Sequence, residues 1–288
     1  MNLELAVSTY SLLRWRKENG KTLEDTLHWL AGQQVRGVEF SGLDERTFDR
    51  PLERARELKK CCDDLGLRAV NYCVGAELLV DPRAQREVIT RVKQAVDVAV
   101  ILATGRVRHD VTFGPKEESP RSWPQVLEVV APAVREISAY AKARGLRSSL
   151  ENHGFYLQTA DRVEKLIQAV GDSNFGLTLD LGNFLCLNQD PVAATRQLVP
   201  YAVHVHVKDF HVRPKERKPP GGWFDTPTPL ALRGAIVGHG VIDIPAQLKI
   251  LRQAGYKGWL SLEFEGLEEP TRAVQLGLEY LRGQLAGG

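Results

Sequence analysis

Three phrases decide the fold: DDLGLRAV (63–70), KARGLRSSL (142–150) and RQAGYKGWLSL (252–262). Each runs from the polar end of a helix through a glycine into a short apolar strand. Gly66, Gly145 and Gly255 stand where a helix must stop, since glycine takes the left-handed conformation that closes a helix C-terminus at little cost. Working outward, the same alternation fills the chain. Strands are expected at Leu3–Ser8, Arg36–Phe40, Arg68–Tyr72, Arg106–Phe113, Arg147–Glu151, Phe175–Asp180, Ala202–Lys208 and Gly258–Phe264. The intervening amphipathic segments carry helix-start signals: Thr22 ahead of Leu23-Glu24-Asp25 reads as a capping box, and Asp81-Pro82 and Asp190-Pro191 place an N-cap before a first-turn proline. Eight strand–helix units in series predict an α/β fold, a (β/α)8 TIM barrel, as a single domain over 1–288. The rival, a doubly wound open sheet, would place a glycine-rich phosphate loop after its first strand, and none is present. The one long unpatterned stretch, about His211 to Gly240, is rich in Pro, Gly and charge and falls between the seventh strand and the seventh helix; loops of that length are usually functional.

The 288 residues, 43% hydrophobic and 26% charged, supply a sizeable core and exclude bulk disorder. The 38 Lys+Arg against 36 Asp+Glu leave +2, too balanced for a protein working by phosphate neutralisation, so no nucleic-acid partner is expected. No apolar run reaches membrane-spanning length, so no membrane partner is expected either. The opening Met1-Asn2-Leu3-Glu4-Leu5 lacks a signal-peptide pattern. Cys61, Cys62, Cys73 and Cys186 form no CxxC pair and read as reduced thiols, which points to a cytoplasmic protein.

Alternation within the last four strands carries the functional reading, because residues two apart share a strand face. Leu150 faces the helices while Ser149, Glu151 and His153 face inward. Phe175, Leu177 and Leu179 oppose Gly176, Thr178 and Asp180. Val203, Val205 and Val207 oppose His204, His206 and Lys208. Leu260, Leu262 and Phe264 oppose Ser261, Glu263 and Glu265. Four consecutive strands therefore point Glu, Asp, His and Glu into the barrel near their C-terminal ends, where such barrels carry their active sites. Converging carboxylates repel without a cation, so the set reads as a hard, oxygen-rich site for one divalent metal ion. Its donors favour Mn²⁺ first, then Mg²⁺ or Co²⁺, with Zn²⁺ and Fe²⁺ admitted. Alternation alone does not choose between Glu263 and Glu265. Any single inward carboxylate has the bland alternative of a salt bridge to a barrel Lys or Arg, and His204 is read as structural.

The motifs LENHG (150–154), LDLGN (179–183), HVHVKD (204–209), GHGVID (238–243) and GYKGWLSLEFEG (255–266) resemble the sugar isomerase/epimerase superfamily with the xylose isomerase-like barrel. The superfamily also holds inosose dehydratases and an endonuclease branch for abasic DNA. The resemblance implies metal ligands Glu151, Asp180, His206 and Glu263. It also implies proton transfer next to a carbonyl through an enediolate-like intermediate, with Glu151 and Glu263 as the two proton-moving groups. The expected substrate is a small sugar or keto-sugar, and the expected activity is isomerase or epimerase. Elimination by a keto-sugar or inosose dehydratase or a keto-glycoside lyase is the alternative, and a non-catalytic sugar-binding subunit the third reading. Relatives of this kind often form homodimers or homotetramers.

Departures narrow the assignment. The endonuclease branch holds three zincs on additional histidines, whereas this chain has seven in all. Asn183 stands where that branch and the ketohexose epimerases carry His, and Val212 where ketohexose 3-epimerases carry Arg. Remaining candidates for substrate contact are His153, Lys208, Asn183, Tyr10, Trp15 and Glu39. His153 and Lys208 have charge balance as the rival role. Tyr10 and Trp15 have packing. Glu39 has a salt bridge to a barrel Arg or Lys, which is the preferred reading. Tyr72, Trp223 and Phe224 share the ambiguity of stacking against packing. Arg213, Lys215, Arg217 and Lys218 read as a solvated loop before a phosphate patch.

Overall fold

The computed structural model describes residues 3–43, 50–117 and 121–287. Eight parallel strands close into a barrel: β1 (Glu4–Ser8), β2 (Gly37–Ser41), β3 (Arg68–Val74), β4 (Arg106–His109), β5 (Arg147–Glu151), β6 (Phe175–Asp180), β7 (Ala202–Val207) and, last in the chain, β11 (Trp259–Leu262). Each strand pairs with its neighbour in sequence, and β11 closes the ring between β7 and β1. The helices are α1 (Leu13–Asn19), α2 (Leu23–Gly32), α3 (Pro51–Asp64), α4 (Pro82–Leu102), α5 (Trp123–Lys142), α6 (Ala160–Val170), α7 (Pro191–Leu198), α8 (Ile244–Gln253) and α9 (Pro270–Ala286). This is the TIM barrel that the repeating phrases predict.

Local signals explain the boundaries. Thr22 and Asp25 cap α2 reciprocally; Asp81 accepts from two backbone N–H groups of α4, and Asp190 does the same for α7. Gly66, Gly145 and Gly255 all have positive φ. The outward-facing Leu150, Leu177, Leu179, Val205, Val207, Leu260 and Leu262 are buried beneath the helices. Each such side chain contributes about 1.5–3 kcal/mol.

Two expectations need correction. The fourth strand ends at His109, not Phe113. The Val111 carbonyl accepts from Leu78 and the Phe113 N–H donates to Glu77, so this segment bonds to the preceding loop instead of continuing the barrel ladder. The stretch read as unpatterned contains a three-stranded antiparallel sheet in the order β8–β10–β9: β8 (Asp209–Pro214), β9 (Phe224–Asp225) and β10 (Leu230–Ala235). Phe210 and Leu232 from this sheet, with Cys186, form a small apolar cluster of their own, against which Phe224 packs.

Asp209 ties the neck of this excursion. Its Oδ1 accepts from the Phe210 and Ile242 N–H groups and its Oδ2 from those of Gly238 and Gly240, at 2.8–3.1 Å. A β-carbon at Gly240 would collide with the carboxylate, so GHGVID is the cradle for this one side chain. Asp243, which closes the motif, caps α8 by accepting from the Ala246 N–H.

Candidate functional site

Strand register sets the depth of each inward side chain. Asp180 on β6 lies opposite His206 on β7, and His206 lies opposite Ser261, two residues before Glu263. One layer lower, the Ser149 and Thr178 hydroxyls meet at 2.9 Å and His204 Nε2 meets Ser261 Oγ at 2.8 Å. Above that polar layer, Glu151, Asp180, His206 and Glu263 gather potential ligand atoms all within 4.8 Å of one another. All four are buried. Glu265, which alternation left as a rival, lies nearer the rim, 3.8 Å from Lys208 Nζ.

The hydrogen bonds leave particular atoms over. Asp180 Oδ1 accepts from the Gly182 and Asn183 N–H groups, whereas Oδ2 makes no hydrogen bond. His206 Nε2 is bonded to Glu39 Oε2 at 2.9 Å, whereas Nδ1 makes none and faces Glu151 Oε1 at 3.3 Å and Glu263 Oε1 at 3.6 Å. Buried polar atoms are normally satisfied. Two unspent donor-set atoms among carboxylates fit a divalent cation, and a histidine whose other nitrogen is held by a carboxylate is the usual arrangement for a metal ligand.

The charges in the site act strongly on one another. Burial raises the Glu151 carboxyl, but Arg108 and His206 outweigh it and hold it well below the usual range. Burial pushes Asp180 up to about 6, with Glu151 and Glu263 adding to the rise against Lys208. Burial would lower the His206 and Lys208 values, yet the surrounding carboxylates raise both well above the ordinary ones. Lys208 Nζ sits 3.0 Å from Glu263 Oε2 and 3.7 Å from Asp180 Oδ2.

The remaining candidates separate into wall and support. Tyr10, His153 and Lys208 line a chamber of about 180 Å³ together with Glu151, Glu263 and Glu265. The Tyr10 hydroxyl donates to Glu265 at 3.4 Å, and His153 lies 3.6 Å from Asp110. Asn183 donates to Glu151 Oε1 at 3.1 Å. Trp15 packs on the main core, away from this chamber, so its ring is turned to packing. Glu39 is fully buried beneath the chamber, its Oε2 bonded to Asn71, His204 and His206; it orients His206, and with the two histidines it forms a second group of potential ligand atoms within 4.8 Å. Its partners are histidines, not the Lys or Arg expected. Burial raises its carboxyl and the two histidines overcome this, holding it well below the usual range. Tyr72 is core, Trp223 lies beneath Arg233, and Lys218 pairs with Asp225.

Arg108 escaped the sequence reading. Its Nη2 lies 2.6 Å from Glu151 Oε2 and 2.9 Å from Asp110 Oδ1. The signal was present in Arg106-Val107-Arg108-His109-Asp110, where charges alternate along a buried strand.

The family profile described as "Xylose isomerase-like TIM barrel" matches residues 28–284. Inosose dehydratase from Clostridium tetani is 26% identical over 171 residues, covering 56% of this chain and 53% of that protein. The chain thus spans about half the length of the curated relatives it matches. Among solved structures, the IOLI protein with a bound zinc atom superposes with a TM-score of 0.79 at 17% identity over 99% of both chains. L-ribulose 3-epimerase gives 0.76 at 19% identity over 99% of this chain and 95% of that one. Those two likenesses are of fold. No helix among the described residues is long and apolar enough to cross a membrane. With a profile match over most of its length and a closed barrel of eight parallel strands, the chain belongs to the xylose isomerase-like TIM-barrel family.

Proposed function

We propose that the chain is a divalent-metal-dependent carbohydrate enzyme that moves a proton next to a carbonyl, foremost an isomerase or epimerase of a sugar or keto-sugar. One observation carries the reading: four side chains from four adjacent strands bring potential ligand atoms within 4.8 Å, with Asp180 Oδ2 and His206 Nδ1 unspent. Glu151, Asp180, His206 and Glu263 would hold one ion, Mn²⁺ by donor type. When bound, the ion would polarise the carbonyl and offset negative charge developing on its oxygen. The chain's own part is proton movement. Glu151 and Glu263 come from the two outer strands of the four-strand arc, so they flank what lies between them. One takes the proton from carbon and the other returns one, through an enediolate-like intermediate. Lys208 donates to the developing oxyanion. His153 bonds a hydroxyl, and Asn183 fixes the Glu151 carboxylate.

A second reading, elimination, is favoured by an asymmetry. Glu151 has both oxygens engaged, by Arg108 and Asn183, whereas Glu263 is engaged closely at Oε2 alone, by Lys208, so the two carboxylates are unequally ready to carry a proton. His153, half-exposed in the chamber wall, is then placed to protonate a departing hydroxyl. The likeness to inosose dehydratase supports this outcome.

Product analysis on a panel of keto-sugars and inososes separates the two, as isomer formation against loss of water or aglycone. Metal analysis tests the common premise. Less than about 0.2 equivalents of divalent metal after reconstitution, with no turnover, would return the chain to a non-catalytic sugar-binding subunit.

A further inference from the structure

Beside the catalytic chamber lies a second cavity of about 330 Å³, and Tyr10, His153, Lys208 and Glu265 line both. The two spaces are therefore adjacent, with these four side chains lining each. Their linings differ. The chamber is walled by ionisable groups, whereas the annex adds Phe155, Phe210, Phe224 and Cys186, with Asn183 and Gln158 at its edge. At about 180 Å³ the chamber alone falls below the roughly 300–1,000 Å³ of ordinary ligand sites; with the adjacent annex of about 330 Å³ the pair falls within that range.

The annex is built. Phe210 and Phe224 come from the β8–β10–β9 sheet and pack edge to face at 6.0 Å, so the excursion after β7 supplies this wall. Phe155 joins the lining from the turn after β5. Its φ is +61°, a conformation that bulky residues rarely adopt, and its N–H donates to Gln158 Oε1 at 2.6 Å. Gln158 is anchored in turn to the Asn183 carbonyl. The strained turn keeps Phe155 39% exposed on the annex instead of folding it into the core. Strain of this kind persists where surrounding structure maintains it and clusters at ligand sites.

We propose that the substrate carries a second ring: a keto-sugar bearing a ring-sized substituent, its reacting ring in the chamber and the substituent stacked between Phe155 and Phe224. Aromatic walls with polar edges suit either a second sugar ring or an aryl group, both of which present an apolar face. The inference rests on the proposed function for the identity of the reacting ring. Its test reads binding without turnover, so the two can fail separately.

The test titrates the full chain, with and without added Mn²⁺, with methyl β-glucoside, phenyl β-glucoside and cellobiose by calorimetry. A ring-bearing probe is expected to bind about tenfold more tightly than methyl glucoside. Phe155→Ala and Phe224→Ala should each remove most of that preference. Preference for phenyl glucoside alone identifies an aryl substituent; preference for cellobiose identifies a sugar. Phe155 is exposed, so its variant should keep the wild-type Tm. Equal affinity for all three probes, no binding by either ring-bearing probe, or a preference that survives both substitutions overturns the proposal.

Discussion

The two ends of the barrel are built in opposite chemistry. Arg36, Arg68, Arg106 and Arg147 stand at or just before the starts of β2 to β5; Glu151, Asp180, His206 and Glu263 stand at or just past the ends of β5, β6, β7 and β11. A cavity of about 630 Å³ lies at the floor, lined in part by Leu3, Arg36, Trp259, Arg252 and Arg282, and it is far larger than the chamber at the mouth. Yet several of the floor arginines spend donors on the scaffold, although the buried Arg106 Nε makes no hydrogen bond. Arg252 bonds the Gln284 carbonyl, Arg282 the Gln33 carbonyl at the end of α2, and Arg147 the Ser173 carbonyl. Arg68 lies over the Trp259 ring. At the mouth, acceptors are left unspent. Unsatisfied lone pairs, and not volume, distinguish the reactive end from the structural one.

That contrast can be broken by substitution. The largest effect is expected from Glu151→Gln or Glu263→Gln. Turnover should fall by about 10²–10⁴-fold in variants that still fold, as judged by circular dichroism, and full activity in either variant would refute the proton-transfer mechanism. Next comes metal itself. Mn²⁺ at 100 times its Kd should stabilise the fold by about 2.7 kcal/mol, seen as a rise in Tm that EDTA reverses and His206→Ala abolishes. A Tm blind to Mn²⁺ counts against the site. Glu39→Gln touches no ligand directly, yet should weaken metal affinity by about 10–100-fold in a chelator competition, because it releases His206 Nε2. The smallest effect belongs to the floor. Arg282→Ala should cost about 1 kcal/mol in chemical denaturation and leave kcat/KM alone. Loss of activity there would dissolve the distinction between the ends.

The barrel and the convergence of the four inward side chains were legible because both depend on short-range pattern. His204-Val205-His206-Val207-Lys208 states its own facing, and helix-ending glycines mark each return to a strand. What escaped depends on distance. Glu39 meets His206 across 167 positions, and no local pattern says that its partners are histidines. The β8–β10 pairing of Val212 with Leu232 was hidden because Pro, Gly and charged residues intervene and one face is half-exposed, which blurs the alternation. Arg108 carries no local mark because its partner, Glu151, comes from the neighbouring strand β5.

The Asp209 knot has a consequence for how this barrel changes. One carboxylate, gripping four backbone groups, fastens both ends of the excursion irrespective of the residues between them. Ile236 and Val237 at its exit belong to the main core, so the exchangeable part is the tip, residues 215–229. It can be replaced, lengthened or shortened while Lys208 and the α8 cap keep their places, so new walls for the annex can evolve without disturbing the four strand ends beneath.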